Sequence, residues 1–496
     1  MPSRLRVPRS LAAAAALVLG ARTDAPAPLA PPAPTEAPSR QASAATPRHV
    51  LRLTGNAADL ERQVAALGGA VTFRHAGARV AIVEGLSDEA ARALAAVNGV
   101  GDVQPDVTVT LARPAGDAPV VPLDAAAGDV TIASQANPAT AIRYSWQWNM
   151  RAIGAQHAWA AGKLGSPNVT VAILDTGIDY NSLDANGLVD LARSASFVPS
   201  DDALRAAFFP ARHVSDDFNG HGTNVASQVS SMGVAHAGVT SRTRLMSVKV
   251  LGASGSGSIA GILQGVLYAA DHGADVINMS LGTFSWKSGG GGPVVALFNQ
   301  TFAYANRAGA LVVVASGNDG MDLDRNLVPT DDGIVRVPSL YSLFCDSPHV
   351  VCVGASGPVT FTGPSDLYAA YSNFGRSAIS LSAPGGNVGS ATTAWPWGNG
   401  TVSWVWSMCP KSWLPNPATP NVRPCAGGGS VNGAVGTSQA APHVAGLAAL
   451  LIAERGRGNP AAIKAALMQS ADDAGAPGMD AQFGHGRINV ARALGL

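Results

Sequence analysis

Three side chains far apart in the sequence can serve one reaction. Ser438 stands in Gly436-Thr437-Ser438-Gln439-Ala440-Ala441-Pro442-His443, where a glycine-rich run, Gly427 to Gly433, gives way to the helical stretch Ala445 to Ile452. A serine at the start of a buried helix has unpaired backbone N–H groups and the positive dipole end beside it, and both favour a developing negative charge. A hydroxyl is a weak nucleophile until an imidazole takes its proton, and a carboxylate must fix that imidazole's tautomer. His221, in Asn219-Gly220-His221-Gly222-Thr223, and Asp175, in Leu174-Asp175-Thr176-Gly177, supply those two roles. Taken singly, each has an ordinary explanation: an N-cap serine, a surface histidine, a turn aspartate. Together, in the order Asp…His…Ser, they describe a nucleophilic triad. His443 is a poor base, because five residues along a helix turn it roughly 140° away from Ser438. The elbow GxSxG of other serine hydrolases is absent, since Ala440 stands at its second glycine.

A fourth group supports the triad. Asn318, in Ala315-Ser316-Gly317-Asn318-Asp319-Gly320, can donate its amide N–H to a tetrahedral oxyanion beside the Ser438 N–H. Ser280-Leu281-Gly282 offers extended backbone on which a substrate strand can pair, and Ala315, Ser316 and Gly317 are candidates for the same cleft. Plain turns are the competing reading of both stretches.

The elements that must position these residues alternate. Apolar strands read at Val169–Leu174, Leu245–Val250, Asp275–Met279, Ala310–Ala315 and Val350–Val353, with helical stretches between them such as Ser258–His272 and Pro293–Ala308. This predicts an α/β fold, a parallel sheet with helices on both faces, and functional groups gathered at the carboxyl ends of the strands. Ahead of it, Arg48 to Ala112 reads as a small α+β unit in the order β-α-β-β-α-β, ferredoxin-like, with Val107–Leu111 as its last strand.

Composition narrows the setting. In 496 residues, charged side chains are 13% and hydrophobic ones 47%, so a large core is easily built. Lys plus Arg and Asp plus Glu are 33 each, which points to no nucleic-acid partner. Arg4, Arg6 and Arg9 precede the apolar run Leu11–Gly20, the pattern of an export signal over residues 1–22 and too short for a permanent membrane span. Residues 23–47 and 113–140 are Pro- and Ala-rich linkers. In an exported chain, Cys345–Cys352 and Cys409–Cys425 are expected to form two disulfides. The mature protein is expected outside the cytoplasm, as a monomer, without membrane attachment.

The motifs Asp175-Thr176-Gly177, His221-Gly222-Thr223, Ser316-Gly317-Asn318 and Gly436-Thr437-Ser438 through Gly446 resemble, in order, those of the subtilisin-like serine proteases, the subtilases. The likeness runs over residues 141–496, and Arg48–Ala112 is similar to subtilase propeptides. The resemblance implies a zymogen that cuts itself between about Leu111 and Tyr144, with the propeptide as inhibitor. It implies no cofactor for the chemistry and leaves room for structural calcium. Asp322, Asp324 and Asn326 have alternating oxygen spacing, with a solvated loop as the competing reading. Two departures stand beside the site: Asn224, where the family has His, and Gln439, where Met is common. An insertion, Asn387–Gly433, carries five tryptophans, for which packing onto the body competes with flanking the cleft. The expected activity is that of a secreted endopeptidase on protein or peptide substrates. A catalytically silent peptide-binding relative and a serine esterase are the alternatives.

Overall fold

The computed structural model describes residues 47–111, 120–122, 134–287, 291–330, 333–336, 340–358, 367–388, 402–410 and 430–496. The export-signal reading and the first linker fall outside them, as do Cys425, Trp395, Trp397 and Trp413.

The N-terminal unit comprises β1 (Arg48–Leu53), α1 (Leu60–Ala66), β2 (Ala70–His75), β3 (Val80–Glu84), α2 (Asp88–Ala93) and β4 (Val100–Pro105). Its four strands pair in the order β2-β3-β1-β4. Ser87 caps α2 by accepting from the Ala90 N–H at 3.2 Å, as its sequence position suggests. The last strand differs from expectation. Val100–Pro105 completes the sheet, and the following β5 (Thr108–Thr110) leaves the unit altogether. Gly99 and Gly101 interrupt the strand pattern at the start of β4, so sequence alone does not mark it. A second short strand, β6 (Val120–Pro122), follows in the linker.

In the large domain, β7 (Thr170–Asp175), β8 (Ala195–Ser196), α3 (His221–Val229), β9 (Arg244–Lys249), β10 (Ser256–Ser258), α4 (Ile259–Asp271), β11 (Val276–Met279), α5 (Gly291–Arg307), β12 (Leu311–Ala315), β13 (Val350–Gly357), β14 (Leu367–Tyr368) and β15 (Leu381–Pro384) follow in sequence. The main sheet runs β14-β13-β12-β11-β7-β9-β8, with β15 also on β13. All these pairs are parallel except β13–β14. The residues of β7 alternate between two cores. Val171 and Ile173 join a cluster with Val225, Val229, Val444 and Leu447, whereas Ala172 and Leu174 join one with Ile262, Val266, Phe298 and Phe302. The sheet is therefore covered on both faces by the chain's own helices, which is why its strands read as unbroken apolar runs.

The insertion contributes β16 (Val405–Met408) and β17 (Ser430–Ala434), which form a three-stranded sheet with β6. Trp404 and Trp406 are buried, and Trp406 meets Trp146 edge-on at a centroid distance of 5.0 Å. The described tryptophans of the insertion thus pack onto the body. Cys345 and Cys352 are disulfide-bonded. Cys409 is disulfide-bonded as well.

Candidate active site

Asp175 closes β7, and His221 opens α3, beyond a stretch that holds β8 and the helix Pro199–Phe208. The two meet because glycines let their backbones touch. A Cβ on Gly222 would lie 2.1 Å from the Gly177 carbonyl oxygen, so only glycine permits that approach. His221 Nδ1 bonds Asp175 Oδ1 at 2.8 Å. The same oxygen accepts from the Thr176 N–H at 2.7 Å, and the Asp175 side chain is fully buried. Burial works against a charged ring at His221. The Asp175 carboxylate, by charge and by hydrogen bond, outweighs it with the more distant charge of Asp217, so the imidazole is held above its ordinary value.

Two residues not singled out from sequence hold this pair in place. Asp217 Oδ1 accepts from the N–H groups of Asn219 and Gly220 and from the Thr176 hydroxyl, each at 2.9 Å. Its Oδ2 accepts from the Thr223 N–H at 2.9 Å, so one carboxylate caps α3 and ties it to the Asp175 loop. Lys249, fully buried, donates to the carbonyls of Thr176 and Asp216 at 2.9 and 3.1 Å and pairs with Asp201 at 2.8 Å. Each had a visible signal: Asp-x-Asn-Gly is an Asx-turn pattern, and a lysine inside a buried strand needs a partner.

Ser438 is the second residue of α6 (Thr437–Arg455), where its N–H has no acceptor within the helix. The sequence suggests Pro442 in the harmless first turn, but the helix begins at Thr437 and places it one turn further in. There the missing Pro442 N–H frees the Ser438 carbonyl, which accepts instead from Ser280 Oγ at 2.8 Å. Ser438 Oγ in turn donates to the Ser280 carbonyl at 3.0 Å, so the hydroxyl rests on Ser280 rather than on His221. Serine–imidazole bonds commonly tighten only when substrate is present.

Asn318 follows β12. Its Oδ1 accepts from the Thr437 N–H and hydroxyl, both at 2.9 Å. Since a backbone N–H can only donate, the amide oxygen is fixed on Thr437, and the NH2 group is the end left for an oxyanion.

The remaining candidates divide. Among the described residues, no hydrogen bond from the N–H groups of Leu281 or Gly282 is seen; Leu281 is buried and Gly282 is exposed. Ser316 and Gly317 are occupied: their N–H groups donate to Val353 O at 3.0 Å and Thr437 Oγ1 at 3.1 Å. A strand that does hold an extended chain is β10, missed from sequence inside Gly252–Ser258. It pairs antiparallel with β5, with Thr110 opposite Ser256 and Thr108 opposite Ser258. His443 is fully buried, donates from Nδ1 to Gln439 O at 2.7 Å, and faces the Asn149 amide through Nε2. Burial pushes it down to about 4, so it is a neutral structural residue. Asp322, Asp324 and Asn326 do not converge on an open oxygen site. Their side-chain oxygens accept from N–H groups of Asp324 and Arg325, of Arg376, and of Leu340 respectively. Among the described residues no cluster of three or more His, Cys, Asp or Glu could hold a metal ion.

A family model described as the subtilase family matches residues 166–486. The chain is a subtilase. It is 32% identical over 348 residues to alkaline elastase YaB of Bacillus sp. (strain YaB), covering 70% of this chain and 69% of that one. It is 30% identical over 349 residues to subtilisin Savinase of Lederbergia lenta, covering 70% of this chain and 97% of that one. Among solved structures, the epidermin leader peptide processing serine protease EpiP of Staphylococcus aureus matches in fold with a TM-score of 0.65 and 21% identity. That match covers 91% of this chain and 98% of the other. This subtilase is accordingly a subtilisin-like serine endopeptidase acting on proteins or peptides. No helix among its described residues is long and apolar enough to cross a membrane.

Proposed function

We propose that Asp175, His221 and Ser438 are the catalytic triad of this endopeptidase and that Asn318 supplies one oxyanion donor. The observation that carries this reading is the 2.8 Å bond from His221 Nδ1 to Asp175, which leaves the Nε2 lone pair as the base. When substrate enters, the Ser438 hydroxyl leaves the Ser280 carbonyl and gives its proton to His221 Nε2 as Oγ attacks the peptide carbonyl carbon. The oxyanion receives hydrogen bonds from Asn318 Nδ2 and the Ser438 N–H. His221 then returns the proton to the departing amine, and the C–N bond breaks to leave an acyl-enzyme. Water, deprotonated by His221, hydrolyses the ester and restores Ser438. Each proton and each hydrogen bond in these steps is handled by a residue of the chain.

The N-terminal unit is proposed as an inhibitory propeptide, because β5 lies along β10 in the manner of a bound peptide and Leu111 donates to Gly255 O at 2.9 Å. Secretion is proposed from the basic and apolar N-terminus.

The deciding test compares wild type with Ser438→Ala by intact mass, fluorophosphonate labelling and casein hydrolysis. The expected outcome is a wild type that sheds its N-terminal unit, labels and digests casein, beside a mutant that stays full length and inert. Casein left intact by an unlabelled wild type would make this a peptide-binding relative instead.

A further inference from the structure

The strand β17 has a partner whose place in the chain is informative. β6 pairs with it antiparallel, with Val120 opposite Asn432, Val121 opposite Val431 and Pro122 opposite Ser430. On its other side β17 is paired to β16. It is an interior strand only while β6 is there; otherwise it presents an open row of backbone donors and acceptors, the kind of edge that takes up an extended chain.

β5 and β6 follow one another in the sequence, and the strand that each pairs with is tied to a residue close to His221. The β5 side is tied to the loop ahead of His221, since Asn219 Nδ2 donates to the Ala253 carbonyl at 3.0 Å, next to Gly255 and β10. The β6 side is tied to α3, the helix that His221 opens. Asn224, three residues after His221, donates from Nδ2 to Asn432 Oδ1 at 3.1 Å. Its Oδ1 faces Gln439 Nε2, one residue after Ser438, at 3.3 Å. The two departures from the family pattern, Asn224 and Gln439, are therefore one buried polar link between both catalytic helices and β17. Read from N- to C-terminus, the chain is held first on β10, on the Asn219 side of His221, and then on β17, on the Asn224 side.

We propose that β17 is a docking edge for the leaving-group side of a polypeptide substrate, and that Val120–Pro122 is its intramolecular occupant before self-processing. This rests on the proteolytic reading above. The chemistry recognised is the main chain of an extended peptide, so recognition requires free amides at the ladder positions rather than particular side chains. The insertion then has a purpose: it lengthens the cleft beyond the bond that is cut.

The test uses the full-length chain. Self-processing of wild type and of the V120P/V121P double variant is followed by intact mass, and folding of the variant is checked by casein hydrolysis after maturation with added mature enzyme. Mature enzyme is then given fluorogenic peptides ending two residues past the scissile bond, the same peptides extended by ten residues, and extended peptides with N-methylated amides. Maturation of the variant is expected to slow about tenfold or more, and the extension to lower KM about tenfold with kcat unchanged, a gain that N-methylation erases. Maturation at the wild-type rate overturns the proposal. So does slow maturation without any KM gain from the extension, which would confine β17 to its own chain. A wild type that neither labels with fluorophosphonate nor digests casein fails the proteolytic reading, a distinct result.

Discussion

The main sheet and the N-terminal sheet are both apolar on two faces, yet they reach that state differently. The large sheet is covered by α3 and α6 on one side and α4 and α5 on the other, all from its own domain. The N-terminal sheet has helices on one side only. There Leu51, Leu53, Ala81 and Val83 pack with Leu60, Val64 and Leu94 in a core of its own. The alternate residues Val50, Val80 and Ile82 share a buried cluster with Phe298, Phe302 and Ile262 of the large domain. Asp106 adds a polar contact, accepting from the Ala260 N–H at 2.8 Å at the start of α4. A small unit with half its sheet covered by another domain is stable only while docked. Chemistry and docking are thus carried by different parts of the chain, and each can be broken without the other.

The largest separation is expected from Ser438→Ala. It should lower kcat on casein by roughly 10⁶-fold, while the N-terminal unit stays docked and protected from added protease. Asp175→Asn should cost about 10⁴-fold in kcat, since the imidazole loses the partner that fixes its tautomer. Its pH profile carries a sign. His221 is held above the ordinary imidazole value and must be neutral to act, so the wild-type acid limb of kcat/KM should lie above about pH 6.5. Without the carboxylate, burial is opposed only by the more distant charge of Asp217, and the limb should move to lower pH. The same raised value means that the stability contributed by the ion pair is present at acid pH and lost as pH rises through the folded-state value.

On the other side of the comparison, Ile82→Asp places an unpaired carboxylate in the interface while leaving the triad untouched. Inhibition of the mature enzyme by a separate chain of residues 47–111 should weaken about 10³-fold, with casein hydrolysis unchanged. Asn318→Ala should reduce kcat by about 10²–10³-fold with little change in KM, which kinetics on one peptide will read. Gly222→Ala should cost about 10²-fold, because the new Cβ drives α3 off the Gly177 carbonyl and lengthens the His221–Asp175 bond. An unchanged rate there would mean the helix yields elsewhere.

Much of this was legible in the linear chain because it is local. Strand and helix periods place Asp175, His221, Asn318 and Ser438 at element ends, and glycines beside each announce close backbone approach. The alternation of Val80, Ala81, Ile82 and Val83 is equally visible, but alternation does not say what covers the second face. Other features depend on residues distant in sequence. Asp217 and Lys249 matter only because the loops they bind are brought together by the sheet. Gln439 and Asn224 look like unrelated departures until two helices place them 3.3 Å apart. The destination of β5, read from its pattern as the unit's last strand, was decided by the open edge of β10 in another domain. Sequence by itself determined which elements form and which groups can react, since those follow from propensity and side-chain chemistry. Tertiary structure alone decided which edges pair and which carboxylate meets which cation, because hydrogen-bond partners across a fold are set by proximity, not by pattern.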